Sequence, residues 1–188
     1  MGSITDFSHK LLKESLSSND VCFDLTLGNG NDAIFLSNIC KFVYGFDIQE
    51  IAIENSQKQF IQEGRNNYKL IKDSHENFDM YIEGNFSGVI FNLGYLPGAD
   101  KEITTNANTV LVTLKKVIKL INNKGIVIIV FYPGHESGKE EVEILGEYLK
   151  NLDQNKFDVI KYEFYNYKNN SPFIIKVVKL WEYLLELK

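Results

Sequence analysis

Short apolar runs alternate along the chain with longer runs in which apolar residues recur at helical spacing. The short runs are rich in β-branched and aromatic residues and predict strands over residues 21–26, 42–47, 68–73, 87–92 and 125–132. The longer runs predict helices over residues 7–16, 32–38, 49–63, 75–81, 106–121 and 137–152. This alternation is typical of parallel strands joined by helical crossovers, and the apolar density of the strands indicates burial on both faces.

The last part of the chain departs from this alternation. The stretches FDVIKYEFYNY and SPFIIKVVKLW are both β-rich, and only KNN separates them. A short polar turn between two strands favours an antiparallel hairpin, which we place at the far edge of the sheet. The chain is therefore predicted to form an α/β fold with a mostly parallel, seven-stranded sheet and helices on both faces.

Length and composition narrow the class of protein. A chain of 188 residues with 44% hydrophobic and 24% charged residues is typical of one globular domain, which we expect to span residues 1–188. The longest apolar run, GIVIIVFY, is far shorter than the roughly 20 residues that a membrane helix needs. The start of the chain has no apolar signal region, so we expect a cytoplasmic protein without a membrane partner.

Charge and cysteine content exclude two further classes of function. A net charge of −5 argues against a nonspecific nucleic-acid binder, which would normally be basic. Lysines near predicted loop ends or helix starts could still gather on one rim, or could be scattered solubilising charge: Lys10, Lys13, Lys101, Lys139, Lys161 and Lys168. Cys22 and Cys40 lack partners at metal-ligand spacing, so we predict buried thiols and no metal site.

The stretch LTLGNGNDA joins the first strand to a helix and carries the first candidate chemistry. Gly28 and Gly30 can adopt positive φ and lack a Cβ, so the backbone can turn tightly while a ligand approaches. Asp47 ends the second strand, where its carboxylate can accept hydrogen bonds from both ribose hydroxyls. With Ala33 the turn also fits the dinucleotide fingerprint, so this pattern does not separate a nicotinamide cofactor from S-adenosylmethionine.

Three features favour S-adenosylmethionine. Asp24 lies on the first strand, where it could organise the turn or meet the amino group of a methionine moiety. Asp73 ends the third strand, in a good position to accept from an adenine amino group. The stretch FNLGYLPG resembles the asparagine-x-x-tyrosine loop of amino-group methyltransferases, in which two carbonyl oxygens hold a nucleophilic nitrogen under an aromatic ring. Fixed acceptors suit methyl transfer, because the main task is to align a nitrogen lone pair with the methyl carbon.

Several segments together resemble one family closely. They include DLTLGNGNDAIFL, VYGFDIQEIAIENS, IFNLGYLPGADKEI, GIVIIVFYPGH and NNSPFIIKVVK, and they run from residue 24 to about 179. The chain is similar to bacterial proteins labelled rRNA methylases and identified as tRNA 5-(aminomethyl)-2-thiouridine methyltransferases. The resemblance implies a Rossmann-like class I methyltransferase that uses S-adenosylmethionine. Its substrate would be the anticodon region of tRNA, where it would methylate the aminomethyl nitrogen of the wobble uridine.

The resemblance also implies roles for individual residues. The residues expected to bind the cofactor are Asn29, Asp32 and the turn amides at Gly28 and Gly30 for the methionine end, Asp47 for the ribose, Gln49 for the neighbouring adenosine edge, and Asp73 with Ser74 or His75 for the adenine. The residues expected to orient the substrate amine are Asn92, Leu93 through its backbone, and Tyr95. His135 follows the fifth strand in YPGH, and we expect it near the proton that the amine must lose.

Each of these roles has a structural alternative. Asp24 could only cap the glycine turn, His75 could be a helix residue without a ligand, and Tyr95 could be a core ring. His9 is interpreted as a surface or packing residue. Methylation of ribosomal RNA or of a small-molecule amine remains the alternative function, and a noncatalytic or dinucleotide-dependent protein is a third. A second subunit could widen the surface available to tRNA.

Overall fold

The computed structural model describes residues 3–82, 84–94, 105–168 and 170–181, which contain a seven-stranded sheet. Its strands are β1 (Val21–Asp24), β2 (Phe42–Asp47), β3 (Tyr68–Lys72), β4 (Gly88–Asn92), β5 (Ile126–Phe131), β6 (Phe157–Tyr162) and β7 (Phe173–Lys179). They lie in the order β3-β2-β1-β4-β5-β7-β6. The first five in this order are parallel, and β7 is antiparallel to both of its neighbours. The predicted sheet and its C-terminal hairpin are confirmed.

Helices cover both faces of the sheet, as predicted. They are α1 (Ile4–Ser15), α2 (Asn31–Ile39), α3 (Glu50–Gln62), α4 (Ala107–Leu120) and α5 (Glu136–Lys150), with a 3₁₀ helix at His75–Met80. On one face, α1, α2 and α3 contribute Leu12, Leu36 and Phe60 to a single buried cluster. On the other face, α4 and α5 contribute Leu114 and Leu145 to a second cluster.

The strand β5 illustrates why the central strands are apolar throughout. Ile128 and Val130 point into the cluster beneath α1, whereas Ile129 and Phe131 point into the cluster beneath α5. Successive side chains of a strand point to opposite faces, so a strand covered on both sides has no position for a solvated residue. The run GIVIIVFY is therefore a buried strand rather than an amphipathic one.

Two boundaries differ from the prediction by more than two residues. Helix α1 begins at Ile4 rather than at residue 7, because Ser3 and Asp6 form a capping box in which each side chain accepts from the other's backbone N–H. Strand β6 ends at Tyr162, although the β-rich run continues to residue 167. Within the described residues, no helix has both the length and the apolarity required to cross a membrane.

The order of the strands determines where a ligand can bind. From β1 the chain moves to β2 and β3 on one side, and then returns to β4 on the other side of β1. In open α/β sheets, ligands bind in the crevice at the carboxyl ends of the strands where this reversal occurs. Asp24, Asp47 and Asn92 are the last residues of β1, β2 and β4 and lie at that crevice.

Candidate active site

A cavity of about 970 Å³ opens at the carboxyl ends of the central strands. Its wall contains every predicted site residue that the structure describes except Asp24 and Gly30. The predicted residues that line it are Gly28, Asn29, Asp32, Asp47, Gln49, Asp73, Ser74, His75, Asn92, Leu93 and His135. Tyr95 lies outside the described residues.

Helix α3 packs against the glycine turn through Ser56. Gly28 has φ +52° and Gly30 has φ +82°, both in the left-handed region that favours glycine. A Cβ built on Gly30 would lie 2.6 Å from Oγ of Ser56, whose hydroxyl donates to the carbonyl oxygen of Gly28 at 3.2 Å. The missing Cβ of Gly30 therefore makes room for Ser56, whereas Gly28 is the glycine that faces the cavity.

Asp47 connects the turn to the end of β2. Its Oδ2 accepts from the backbone N–H of Gly28 and its Oδ1 from that of Gln49, both at 2.9 Å. Burial raises the pKa of this carboxyl, although hydrogen bonds from the backbone N–H groups of Gln49, Gly28 and Ile48 oppose that effect. A carboxylate offers about four acceptor sites, so acceptor capacity remains for a hydroxyl group of a ligand.

Asp24 lies beneath the turn and outside the cavity wall. Its side chain is buried, and Oδ1 accepts from the backbone N–H of Thr26 at 3.2 Å. Burial, with the nearby Asp32 carboxylate, raises the pKa of Asp24 well above its ordinary value. Of the two roles considered for Asp24, this hydrogen bond is the kind expected for organisation of the turn, and a contact with the methionine amino group stays a prediction.

Asp73 and His75 line the cavity beyond β3, and both have partners within the protein. Asp73 accepts from the hydroxyl of Tyr81 at 2.7 Å, from the amide of Asn77 at 3.0 Å and from the backbone N–H of Ser74 at 2.7 Å. These bonds, above all that from Tyr81, lower the pKa of Asp73. Nδ1 of His75 lies 2.8 Å from Oγ1 of Thr113, and burial lowers the pKa of the imidazole to about 4. His75 is therefore a neutral ring at physiological pH.

Asn92 is fixed at the end of β4 through both its backbone and its side chain. Its backbone N–H donates to Oγ1 of Thr26 at 2.7 Å, and its Nδ2 donates to Oδ2 of Asp32 at 3.1 Å. The next residue, Leu93, also lines the cavity, although only 2% of its surface is exposed. The backbone role predicted for Leu93 stays a prediction.

His135 caps α5 at the end of the loop that follows β5. Its Nδ1 accepts from the backbone N–H of Gly138 at 3.0 Å and lies 2.8 Å from Oγ of Ser137. Because Nδ1 accepts, the neutral ring carries its proton on Nε2.

Most of the described lysines considered for a basic rim form ion pairs with acidic residues. Lys101 lies outside the described residues. The ion pairs are Lys10 with Glu14, Lys139 with Glu136 and Lys161 with Glu163. An adjacent carboxylate reduces the positive potential that such a lysine offers to a phosphate backbone.

Comparison with known proteins assigns the chain to a family. The profile of the family described as "Putative rRNA methylase" matches residues 43–178. The chain belongs to this rRNA methylase family. A crystal structure of a putative rRNA methylase from Clostridium thermocellum is 38% identical, with TM-score 0.92, over 96% of this chain and 99% of that one.

Two further relatives bear on the chemistry. A putative methyltransferase from Streptococcus mutans, solved in complex with SAH, is 34% identical, with TM-score 0.88, over 96% of this chain and 99% of that one. The chloroplastic tRNA (mnm5s2U34)-methyltransferase of Arabidopsis thaliana is 29% identical over 93% of this chain and 69% of its own length. This chain is thus an S-adenosylmethionine-dependent methyltransferase with a class I fold.

The residues of this methyltransferase fit its cofactor. The positive-φ turn at Gly28 brings backbone into the cavity wall, as close approach to a ligand requires. Asp47 retains acceptor capacity for a ribose diol, and Oδ2 of Asp73, which holds one internal donor, retains capacity for an amino group. The cavity also has an acidic end at Asp32, which suits a cationic methionine moiety.

Several residues of the methyltransferase site were not predicted from the sequence. Tyr132 stands inside the quoted YPGH motif, lines the cavity and hydrogen-bonds with Asn92 and Thr5. Thr26 follows Asp24 by two positions and holds the backbone of Asn92. Tyr132 could have been assigned from its motif, whereas the role of Thr26 depends on the pairing of β1 with β4.

Proposed function

We propose that this methyltransferase transfers a methyl group to the aminomethyl nitrogen of 5-aminomethyl-2-thiouridine at the wobble position of tRNA, forming 5-methylaminomethyl-2-thiouridine. The observation that carries the proposal is the fixed orientation of Asn92. Its amide nitrogen donates to Asp32, which leaves the amide oxygen as an acceptor at the end of β4. An acceptor there suits an amine, whose N–H groups must be held while its lone pair is aligned. The name of the Arabidopsis relative supports tRNA as the substrate.

The amine must lose a proton before it reacts. An alkylamine has a pKa near that of lysine, about 10, and therefore arrives protonated at neutral pH. S-adenosylmethionine supplies an electrophilic methyl group when it is bound. Asn92 and the backbone of Leu93 would hold the amine nitrogen, and Tyr95 would pack on it.

We propose that the amine loses its proton toward His135, directly or through a water molecule. The imidazole of His135 lines the cavity, but its Nδ1 accepts the hydrogen bond that caps α5. A direct transfer to that nitrogen would therefore release the first turn of α5. Replacement of His135 by Gln is expected to lower the rate most near neutral pH, and a rate that falls equally at every pH would leave His135 with its structural role alone.

For the cofactor, we propose that Asp47 binds the ribose, with Gln49 at the neighbouring adenosine edge. Asp32, Asn29 and the amides of the glycine turn would hold the methionine end. Asp73 and Ser74 would meet the adenine. His75 would contribute a neutral ring face rather than a charge, because its imidazole remains unprotonated.

The test is nucleoside mass spectrometry of tRNA from cells that lack the gene. We expect 5-aminomethyl-2-thiouridine to accumulate, and purified protein with S-adenosylmethionine to add one methyl group to it in that tRNA. Transfer RNA from the parent strain is the matched control, since its wobble base already carries the methyl group. An unchanged wobble base, with methyl transfer to ribosomal RNA from the same cells, would instead support the ribosomal substrate that the family description names.

A further inference from the structure

Three residues from separate parts of the fold meet behind the end of β4. His9 lies in α1, Asp32 in the first turn of α2, and Asn92 at the end of β4. Nε2 of His9 lies 2.6 Å from Oδ1 of Asp32, and Nδ2 of Asn92 lies 3.1 Å from Oδ2 of the same carboxylate. Asp32 therefore receives one donor on each oxygen.

The chemistry of a carboxylate determines the direction of both bonds. An ionised carboxylate can only accept, so His9 must carry a proton on Nε2 and Asn92 must present its amide nitrogen. The amide oxygen of Asn92 then points away from Asp32. If the amide turned over, it would present an NH₂ group to the substrate amine, and two donors would face each other.

His9 is placed to keep Asp32 in this arrangement. Its ring stacks on Phe35 with centroids 3.9 Å apart and planes 6° from parallel. The side chain of His9 is 20% exposed and that of Asp32 is 6% exposed, so the bond is largely shielded from water. His9 is not among the described residues that line the cavity, so it would act only through Asp32.

We propose that His9 and Asp32 form a positioning pair that holds the Asn92 amide with its oxygen toward the substrate amine. This inference rests on the proposed function to the extent that Asn92 receives the amine. His9 is a positioning residue and makes no contact with the reacting atoms. Under this proposal His9 has a role in the reaction in addition to the packing role interpreted from the sequence.

Three variants separate the hydrogen bond from the stacking. His9→Phe keeps an aromatic ring against Phe35 but removes the donor, His9→Gln keeps a donor without the ring, and His9→Ala removes both. We expect His9→Phe to lower kcat by about 10-fold to 100-fold, the loss typical of a misplaced reacting group. Its KM for tRNA and its affinity for SAH should stay within about 3-fold of wild type. His9→Gln should recover most of the rate.

A double-mutant cycle with Asn92 supplies the decisive comparison. If His9 acts through Asn92, His9→Phe should cause no further loss of rate in an Asn92→Ala background. Losses that multiply would overturn the proposal, as would a His9→Phe variant with the wild-type kcat. A His9→Gln variant as slow as His9→Ala would also contradict it, because the donor would then have no role.

A second readout does not require any substrate. The side-chain NH₂ protons of Asn92 can be assigned in a ¹⁵N NMR spectrum by their loss in Asn92→Ala. In wild type we expect them to exchange slowly with water, and in His9→Phe faster, with His9→Gln close to wild type. Unchanged exchange in His9→Phe would overturn the positioning pair. If wild type fails to methylate tRNA but this pattern is found, the substrate is wrong and the positioning pair is supported.

Discussion

The proposed cofactor side and the proposed substrate side of the cavity are built by different kinds of contact. On the cofactor side, a backbone N–H of the glycine turn donates to Asp47, 19 positions away, and Asp73 accepts from Tyr81, 8 positions away. On the substrate side, Asn92 bonds to Thr26 and Asp32, which are 66 and 60 positions away. The first side is organised within neighbouring units of the chain, and the second exists only after the sheet has assembled around β1.

This difference predicts that variants on one side change the affinity for the cofactor, whereas variants on the other side change the rate of turnover. On the cofactor side, carboxylates hold backbone amides and retain acceptor sites for a ligand, so their loss should weaken affinity. On the substrate side, buried side chains fix the orientation of one amide, so their loss should change turnover. Variants on the two sides should therefore produce opposite patterns of cofactor affinity and kcat.

The largest effect is expected for Asn92→Ala. This variant removes the acceptor proposed for the amine, and we expect turnover to fall by at least about 100-fold. Affinity for SAH, measured by titration calorimetry, should remain close to wild type. Asn38→Ala is the matched control, because Asn38 is exposed and, among the described residues, its side chain bonds only to Ile34 in its own helix. Retained activity in Asn92→Ala would remove Asn92 from the proposed amine site.

Asp47→Ala should show the reverse pattern. Loss of a hydrogen bond to a charged group typically costs about 1.5–3 kcal/mol, so cofactor affinity should fall by about 10-fold to 100-fold. At saturating cofactor, kcat should change little. The control is Asp79→Ala, since the carboxylate of Asp79 pairs with Lys116 outside the cavity wall. Wild-type affinity in Asp47→Ala would exclude the ribose assignment.

The same difference explains which parts of the site could be predicted from the sequence. The polar residues of the cofactor side stand in short motifs directly after predicted strands, and parallel strands present their carboxyl ends at one edge. The pairing of Asp24 with Gly45 in adjacent strands then brings the turn beside Asp47. The strands and the C-terminal hairpin were predictable as well, because the apolar runs and the KNN turn are local features.

The substrate side could not be predicted in the same way. The contact of His9 with Asp32 depends on how α1 crosses the sheet to meet α2, which no local pattern records. Glu141 is a different case, because helical spacing places it on the same face of α5 as Leu145 and Leu149, whereas Glu140 is exposed. Its contact with Thr105, 36 positions away, depends on the packing of α5 and could not be predicted from that spacing.

A smaller effect should come from the packing behind the glycine turn. Gly30→Ala places a Cβ against Ser56 at a residue with φ +82°, whereas Gly64→Ala introduces one at φ +62° with no atom within 4 Å. Both variants lose about 1–2 kcal/mol from the left-handed conformation. Gly30→Ala should lose about 1–3 kcal/mol more from overpacking, as measured by urea denaturation.

A second substitution tests the cause of that loss. Replacing Ser56 by Gly in the Gly30→Ala background removes the side chain that the new Cβ meets, and it should recover part of the lost stability. If Gly30→Ala and Gly64→Ala are equally stable, the close approach of α3 does not hold the turn.

The smallest effect on stability is expected for Glu141→Gln, on the substrate side, when unfolding is measured at acidic pH. Thr105 donates its hydroxyl to Glu141, accepts from the backbone N–H of Gly94 and donates its own N–H to the carbonyl of Gly94. Glu141 thereby supports the two residues that flank positions 95–104. Among the described residues, its second oxygen, Oε2, has no hydrogen-bond partner.

Burial raises the pKa of Glu141 from its ordinary value of 4.5 to about 7. Between these values the folded protein binds a proton that the unfolded chain has lost, so wild type should lose stability as pH rises from about 4.5 to 7. Glutamine has the shape of the neutral acid and does not titrate. The two proteins should therefore unfold at similar urea concentrations at acidic pH, and above neutrality the Gln variant should be the more stable. If the stabilities of wild type and Glu141→Gln changed in parallel with pH, Glu141 would ionise normally in the fold. The hydrogen bond from Thr105 to Glu141 would then be an ordinary charged hydrogen bond.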